Sequence, residues 1–154
     1  MSEYSINMKE IIKQINLLSR KEQDQLLELL FRQRQQYQTI NLIKKTVCVY
    51  LQIPLKHVFS KTRKEKVVFA RHLILYFLFK HSELKLSLGQ IAAIVNIKTH
   101  ADVIHACKKI EKILFIKNKY TGSVIAITQR LNFTLEEAMY FTTDEKIVKS
   151  RSDY

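Results

Sequence analysis

The side chains whose type and spacing could do chemistry are cations in two short runs. The first is Ser60 to Lys66, SKTRKEK, in which Lys61, Arg63, Lys64 and Lys66 are cationic. The second begins at Lys98-Thr99-His100 and continues through His105, Lys108, Lys109 and Lys112. Ammonium and guanidinium groups clustered in this way hold phosphate oxygens. The spacing for catalysis is missing. His100 and His105 are five apart, which does not suit a shared metal, and there is no HExxH or paired-carboxylate pattern. The two glycines, Gly89 and Gly122, cannot build a GxxxxGK phosphate loop. Cys48 and Cys107 form no CxxC or zinc spacing and read as small core residues. The expectation is a protein without enzymatic activity, cofactor or metal.

The charge is unevenly placed. The chain has 154 residues and a formal charge of +12. From Met1 to Gln38 there are 6 basic and 5 acidic residues, and from Lys119 to Tyr154 there are 5 of each. Between Thr39 and Asn118 the counts are 15 and 4, so +11 of the +12 lies in the middle of the chain. Such a concentration implies a polyanionic partner, nucleic acid rather than a membrane. The longest apolar run, Val67 to Phe79, is interrupted by Arg71 and His72 and is too short to span a bilayer. The N-terminus lacks a signal-peptide pattern, and the expected location is a reducing, nucleoid-associated cytoplasm.

The elements that must position these cations are helices. Two glycines, one proline and abundant Leu, Ile, Lys and Gln favour an all-α fold. Ile11, Ile12, Ile15 and Leu18 form one apolar stripe. Ser19 and Glu22 then make a capping-box pattern before a helix over Lys21 to about Tyr37, giving a helical hairpin. The polar tract RQRQQYQ reads as its solvated end or a connector. Leu42 to Leu51 is the next helix, with Leu42, Val47, Tyr50 and Leu51 inward, and Pro54 starts a short helix to Phe59. Glu65 to Lys80, almost wholly apolar, reads as the central core helix. Ser87 caps a helix over Leu88 to Val95. After a break at Asn96 to Lys98, Thr99 caps a longer one, with Asp102 in the position of a capping box. A short helix, a tight turn and a longer basic helix is the layout of a helix-turn-helix. A helix from about Thr121 to Leu131 follows, then a third capping-box pattern at Thr134 and Glu137, and a polar end from Thr142.

The ordered cues resemble the C-terminal DNA-binding domain of the DnaA family of bacterial chromosomal replication initiators. They are Val47 and Tyr50, the Ser60-Lys61-x-Arg63 loop, the Ala70-Arg71 pair, Ser87-Leu88 with Ile91, and the run His105-Ala-Cys-Lys-Lys-Ile-Glu111. The likeness covers roughly Ile40 to Asn118. It implies an all-α, helix-turn-helix domain of the DnaA C-terminal (Trp-repressor-like) type, here with an N-terminal helical hairpin and a short C-terminal helical extension. The expected division is residues 1–38, 39–131 and 132–154. The resemblance also implies a recognition helix in the major groove and a basic loop reaching the adjacent minor groove and phosphates. Lys61, Arg63, Lys64 and Lys66 are then loop contacts and Arg71 lies at the phosphate backbone. Lys98, Thr99, His100, Lys108 and Lys109 belong to the recognition helix and its approach.

The departures matter as much. The family pattern Gly-Gly-Arg-Asp-His-Thr-Thr is here Asn96-Ile97-Lys98-Thr99-His100-Ala101-Asp102. Two threonines that offer a methyl and a hydroxyl to base edges have become Ala and Asp. The contacts that give affinity are expected to survive better than those that give sequence preference. The family's ATPase domain has no counterpart in the sequence. The reading is a double-stranded DNA-binding protein acting as an accessory or regulatory factor in replication or transcription. Its rival is a protein-interaction module that keeps the fold without sequence-specific DNA binding. The hairpin's apolar faces are expected to pack on the basic domain, on a second copy or on a protein partner, and no membrane is expected as a partner.

Overall fold

Eight of the sixteen residues between Glu65 and Lys80 are buried, and the rest of the basic domain is arranged around that helix. The structure is a computed structural model and describes residues 7–132. The third capping-box helix and the polar end expected beyond it lie outside those residues. Backbone contacts group the chain into two compact units, Met1–Gln38 and Thr39–Tyr154.

In the first unit, α1 spans Met8–Asn16, with the Asn7 side chain accepting from the Lys9 amide at 3.1 Å. Helix α2 then starts at Arg20. Ser19 and Glu22 form the expected reciprocal cap: the Glu22 amide donates to Ser19 Oγ at 3.4 Å, and the Ser19 amide donates to Glu22 Oε2 at 2.8 Å. Bonds from Ser19 also hold the exposed Glu22 carboxyl below the usual carboxylate range. Gln23 ties the hairpin turn, its Nε2 donating to the carbonyls of Ile15 at 3.0 Å and Leu18 at 3.3 Å.

Helix α2 runs from Arg20 to Leu51 without a break, so the two helices expected from the sequence are one. Arg and Gln are good helix formers, and no Gly or Pro intervenes before Pro54. The helix stops at Gln52, which takes a left-handed φ of 53° while the Ile53 amide closes back on the Cys48 carbonyl at 2.9 Å.

In the second unit the order is the end of α2, α3 (Leu55–Val58), α4 (Glu65–Lys80), a 3₁₀ turn (Ser82–Leu84), α5 (Leu88–Ile94) and α6 (His100–Ile116). A last helix, α7, occupies 121–132 of the described residues. There is no strand among them. Leu73, Ile74 and Leu75 of α4 are all fully buried, which an amphipathic surface helix could not achieve. They meet Ile43 and Val47 of α2, Ile91 of α5, Val103 and Ile110 of α6, and Val124 and Ile127 of α7 in one apolar cluster. Tyr50, expected to face inward, is exposed at 36% and lies outside this cluster, while Ile43 and Cys48 join Val47 and Leu51 on the inward stripe of α2.

Candidate nucleic-acid interface

The sequence SKTRKEK splits its side chains into two jobs. Ser60 and Thr62 fold the loop: Ser60 Oγ donates to the His57 carbonyl at 2.6 Å and accepts from the Thr62 amide at 3.4 Å, and Thr62 Oγ1 accepts from the Lys64 amide at 3.4 Å. Small hydroxyl side chains bend the backbone through such local bonds. Lys61, Arg63, Lys64 and Lys66 are left exposed.

Arg71 holds this loop from beneath. Its Nε donates to the Val58 carbonyl at 2.9 Å, and one Nη donates to the Ser60 carbonyl at 2.7 Å and the Thr62 carbonyl at 3.5 Å. The guanidinium is part-buried, and burial pulls its pKa below the ordinary value. Three carbonyls on alternate parts of one loop are satisfied by one rigid fork, which a lysine could not do.

At the other end of the loop, Glu65 is the one acidic residue in the cationic run. The Tyr120 hydroxyl donates to its carboxylate, and Lys119 Nζ lies 3.2 Å away. These bonds hold the Glu65 carboxyl below the usual range. The Tyr120 ring stacks on Phe69 of α4 at 4.5 Å between centroids. The approach to α7 is thereby tied to the start of α4. Tyr120 and Lys119 were not singled out by sequence reasoning. The signal available was the lone acid in the basic run, which needs a partner.

The helix-turn-helix is built by its caps. Ser87 and Gln90 form a complete capping box at α5, with the Gln90 amide donating to Ser87 Oγ at 3.2 Å and the Ser87 amide to Gln90 Oε1 at 2.8 Å. Helix α5 ends in a left-handed turn at Asn96, φ 57°, with the Ile97 amide donating to the Ala92 carbonyl at 2.9 Å. Asn stands where the DnaA pattern has glycine, and it tolerates that backbone better than most side chains. Thr99 caps α6, its Oγ1 accepting from the Asp102 amide at 3.4 Å and donating to Asp102 Oδ2 at 2.7 Å. The Asp102 carboxylate therefore engages the capping hydroxyl and leaves the capping itself to Thr99.

His100, at the head of α6, packs over Gly89 of α5: a Cβ there would lie 3.1 Å from His100 Nε2. A Cβ at that position would displace the His100 ring by a few tenths of an ångström. Along α6, Val103, Ala106, Cys107 and Ile110 are buried, while Ala101, Ile104, His105, Lys108, Lys109 and Lys112 are exposed. His105 meets His72 of α4 edge-on, 6.5 Å between centroids. Burial pulls the His72 pKa down to about 4, and the positive charges of Lys109, His105 and Arg71 add to this against Asp102. His72 is thus neutral at pH 7. Lys80 and Glu111, 2.8 Å apart, form a second α4–α6 link.

Burial raises both thiols, Cys107 to about 11, so neither is a ready nucleophile. The described residues contain no His/Cys/Asp/Glu cluster able to hold a metal, and none of their helices is long and apolar enough to cross a membrane.

An all-α domain with a capped helix-turn-helix, a cationic loop and a long central helix defines a class of nucleic-acid-binding domain. Residues 40–110 match the family described as the bacterial dnaA protein helix-turn-helix, and this segment is a domain of that type. The chain is 34% identical over 94 residues to the chromosomal replication initiator protein DnaA of Flavobacterium psychrophilum, covering 61% of this chain and 19% of that protein. It is 39% identical over 74 residues to the DnaA of Thermodesulfovibrio yellowstonii, covering 48% and 16%. A crystal structure of a DNA replication initiation factor superposes with a TM-score of 0.56 at 25% identity, covering 80% of this chain and 44% of that one. The chain thus spans less than a fifth of the length of these curated relatives.

Proposed function

We propose that this chain binds double-stranded DNA and acts as an accessory or regulatory factor in replication or transcription. The observation that carries the reading is the pair Arg71 and His72, adjacent on α4. Arg71 holds the backbone of the basic loop, and His72 packs against the recognition helix through His105. Neighbouring residues of one buried helix thus set both cationic elements, and a fixed spacing between them is what two-point attachment to a duplex requires.

In this reading Lys61, Arg63, Lys64 and Lys66 contact phosphates or the minor groove from the loop. Lys98, Lys108 and Lys109 supply charge along the recognition helix, and Thr99 and His100 lie at its head. Arg71 is a positioning residue that keeps the loop in shape, a narrower role than the direct backbone contact expected from the sequence. The chemistry is non-covalent: attraction to phosphate with release of condensed counterions.

A second reading is a protein-interaction module in which DNA binding has been lost. It is favoured by Asp102, an exposed acid where the family carries threonine. Binding to a random-sequence duplex of about two helical turns, titrated from low to moderate salt, separates the two. The DNA reading expects tight binding that weakens steeply with salt. No binding at low salt would leave the interaction module standing.

A further inference from the structure

We infer that Ala101 and Ile104 select the DNA site of this chain, by apolar contact with the 5-methyl groups of thymines in the major groove. The inference rests on the duplex-binding reading above and adds to it the base chemistry recognised. Val103, Ala106, Cys107 and Ile110 turn inward along α6. Ala101, Ile104 and Lys108 are exposed and follow one another at helical spacing on the outward side. That is the side a helix-turn-helix lays in the groove. Ile104 is 42% exposed and lies outside the apolar cluster. Core packing therefore does not account for a bulky β-branched residue at a helical position that slightly disfavours it.

The polar side chains around this pair are engaged elsewhere. Thr99 Oγ1 donates to Asp102 Oδ2 at 2.7 Å and accepts from the Asp102 amide at 3.4 Å. Asp102 itself projects roughly 160° away from Ile104 around the helix axis. His105 has its ring edge-on to His72 of α4, and His100 Nε2 lies against Gly89 of α5. Among the groups that base pairs present in the major groove, the thymine 5-methyl is the one that an apolar surface matches. Ala101 and Ile104 stand about 4.5 Å apart along α6. A duplex strand rises by about 3.4 Å per base, so the pair suits thymines on neighbouring base pairs. Lys108 and Lys112, further along α6 and exposed, are left for the flanking phosphates. An alanine and an isoleucine read the methyl alone, where a threonine would also offer a hydroxyl to the base edge.

The test begins with enrichment of a random duplex library on the full chain. The enriched duplex is then made in two forms, one with thymine and one with uracil, which keeps the base pair and removes only the methyl. The expected result is a site with thymines on neighbouring base pairs, bound more weakly in the uracil form by roughly fourfold per methyl and roughly 15-fold for the pair. Ile104→Ala, at an exposed position, is expected to reduce that preference to roughly fourfold while leaving the salt dependence unchanged, since no charge is altered. Equal affinity for the two forms overturns the proposal and leaves duplex binding through phosphates standing. So does an enriched pool without shared thymines, or a thymine preference that Ile104→Ala does not change. Failure to bind either form overturns the duplex-binding reading together with it.

Discussion

Replacing Lys61 and Arg63 together by alanine removes two loop cations while leaving the loop's frame intact. Both side chains are exposed, and neither takes part in the bonds that shape the loop, which come from Ser60, Thr62 and Arg71. The fold is therefore expected to lose less than about 0.5 kcal/mol, the usual range for surface substitutions. If each cation neutralises one phosphate, the slope of log K against log salt becomes shallower by about 0.9 per contact, so by about 1.8 for the pair. The same counterion relation gives a loss of roughly 60-fold in affinity at 0.1 M salt and roughly 20-fold at 0.2 M, shrinking towards none near 1 M. The assay is fluorescence anisotropy of a labelled random duplex at four or more salt concentrations, with thermal melts of both proteins alongside. A uniformly weaker affinity with an unchanged slope would refute the phosphate role, because lost packing or shape is not salt-dependent in this way. An unchanged affinity would remove the loop from the interface altogether.

Four further outcomes are expected. Thr99→Ala lowers stability by about 1 kcal/mol, the worth of a helix cap. Asp102→Ala costs less and tightens duplex binding by removing an anion from the head of α6, which paired denaturant melts and anisotropy would check. Arg71→Lys weakens duplex binding without restoring the loop, since an ammonium cannot reach the Val58, Ser60 and Thr62 carbonyls in one plane, and amide exchange over residues 58–64 should accelerate. The His72 pKa is lowered on folding, so the unfolded chain binds the extra proton. Its contribution is full above about 6.5 and is lost as pH falls towards about 4, a pH dependence that His72→Gln would flatten in melts across that window.

The helices and caps were legible because their signals are local. Ser19 with Glu22, Ser87 and Thr99 each announce a start within four residues, and the apolar run of α4 has no surface to face. The continuity of α2 was hidden by the tract RQRQQYQ, whose polarity reads as an end although its residues favour helix. Its stop at Leu51 was legible from Ile53-Pro54, whereas the left-handed turn at Gln52 that closes it has no residue-type signal. The site was partly legible. The cations stand out in the sequence, whereas the bonds that place them join residues far apart in the chain. Arg71 reaches carbonyls nine to thirteen residues back, Glu65 meets Tyr120 fifty-five residues on, and the His100 ring lies over Gly89. Charge and type announce what a residue can bind, but only the packed helices reveal which cations are fixed to the frame and which are left for a ligand.

In the proposed function, loop and recognition helix form one DNA-binding face. Amide chemical-shift mapping of the full chain, titrated with a short duplex at low salt, tests it most directly. The largest changes are expected to cluster at residues 60–66 and 98–109 and to saturate together. Changes confined to the hairpin, or to one of the two cationic elements alone, would contradict it.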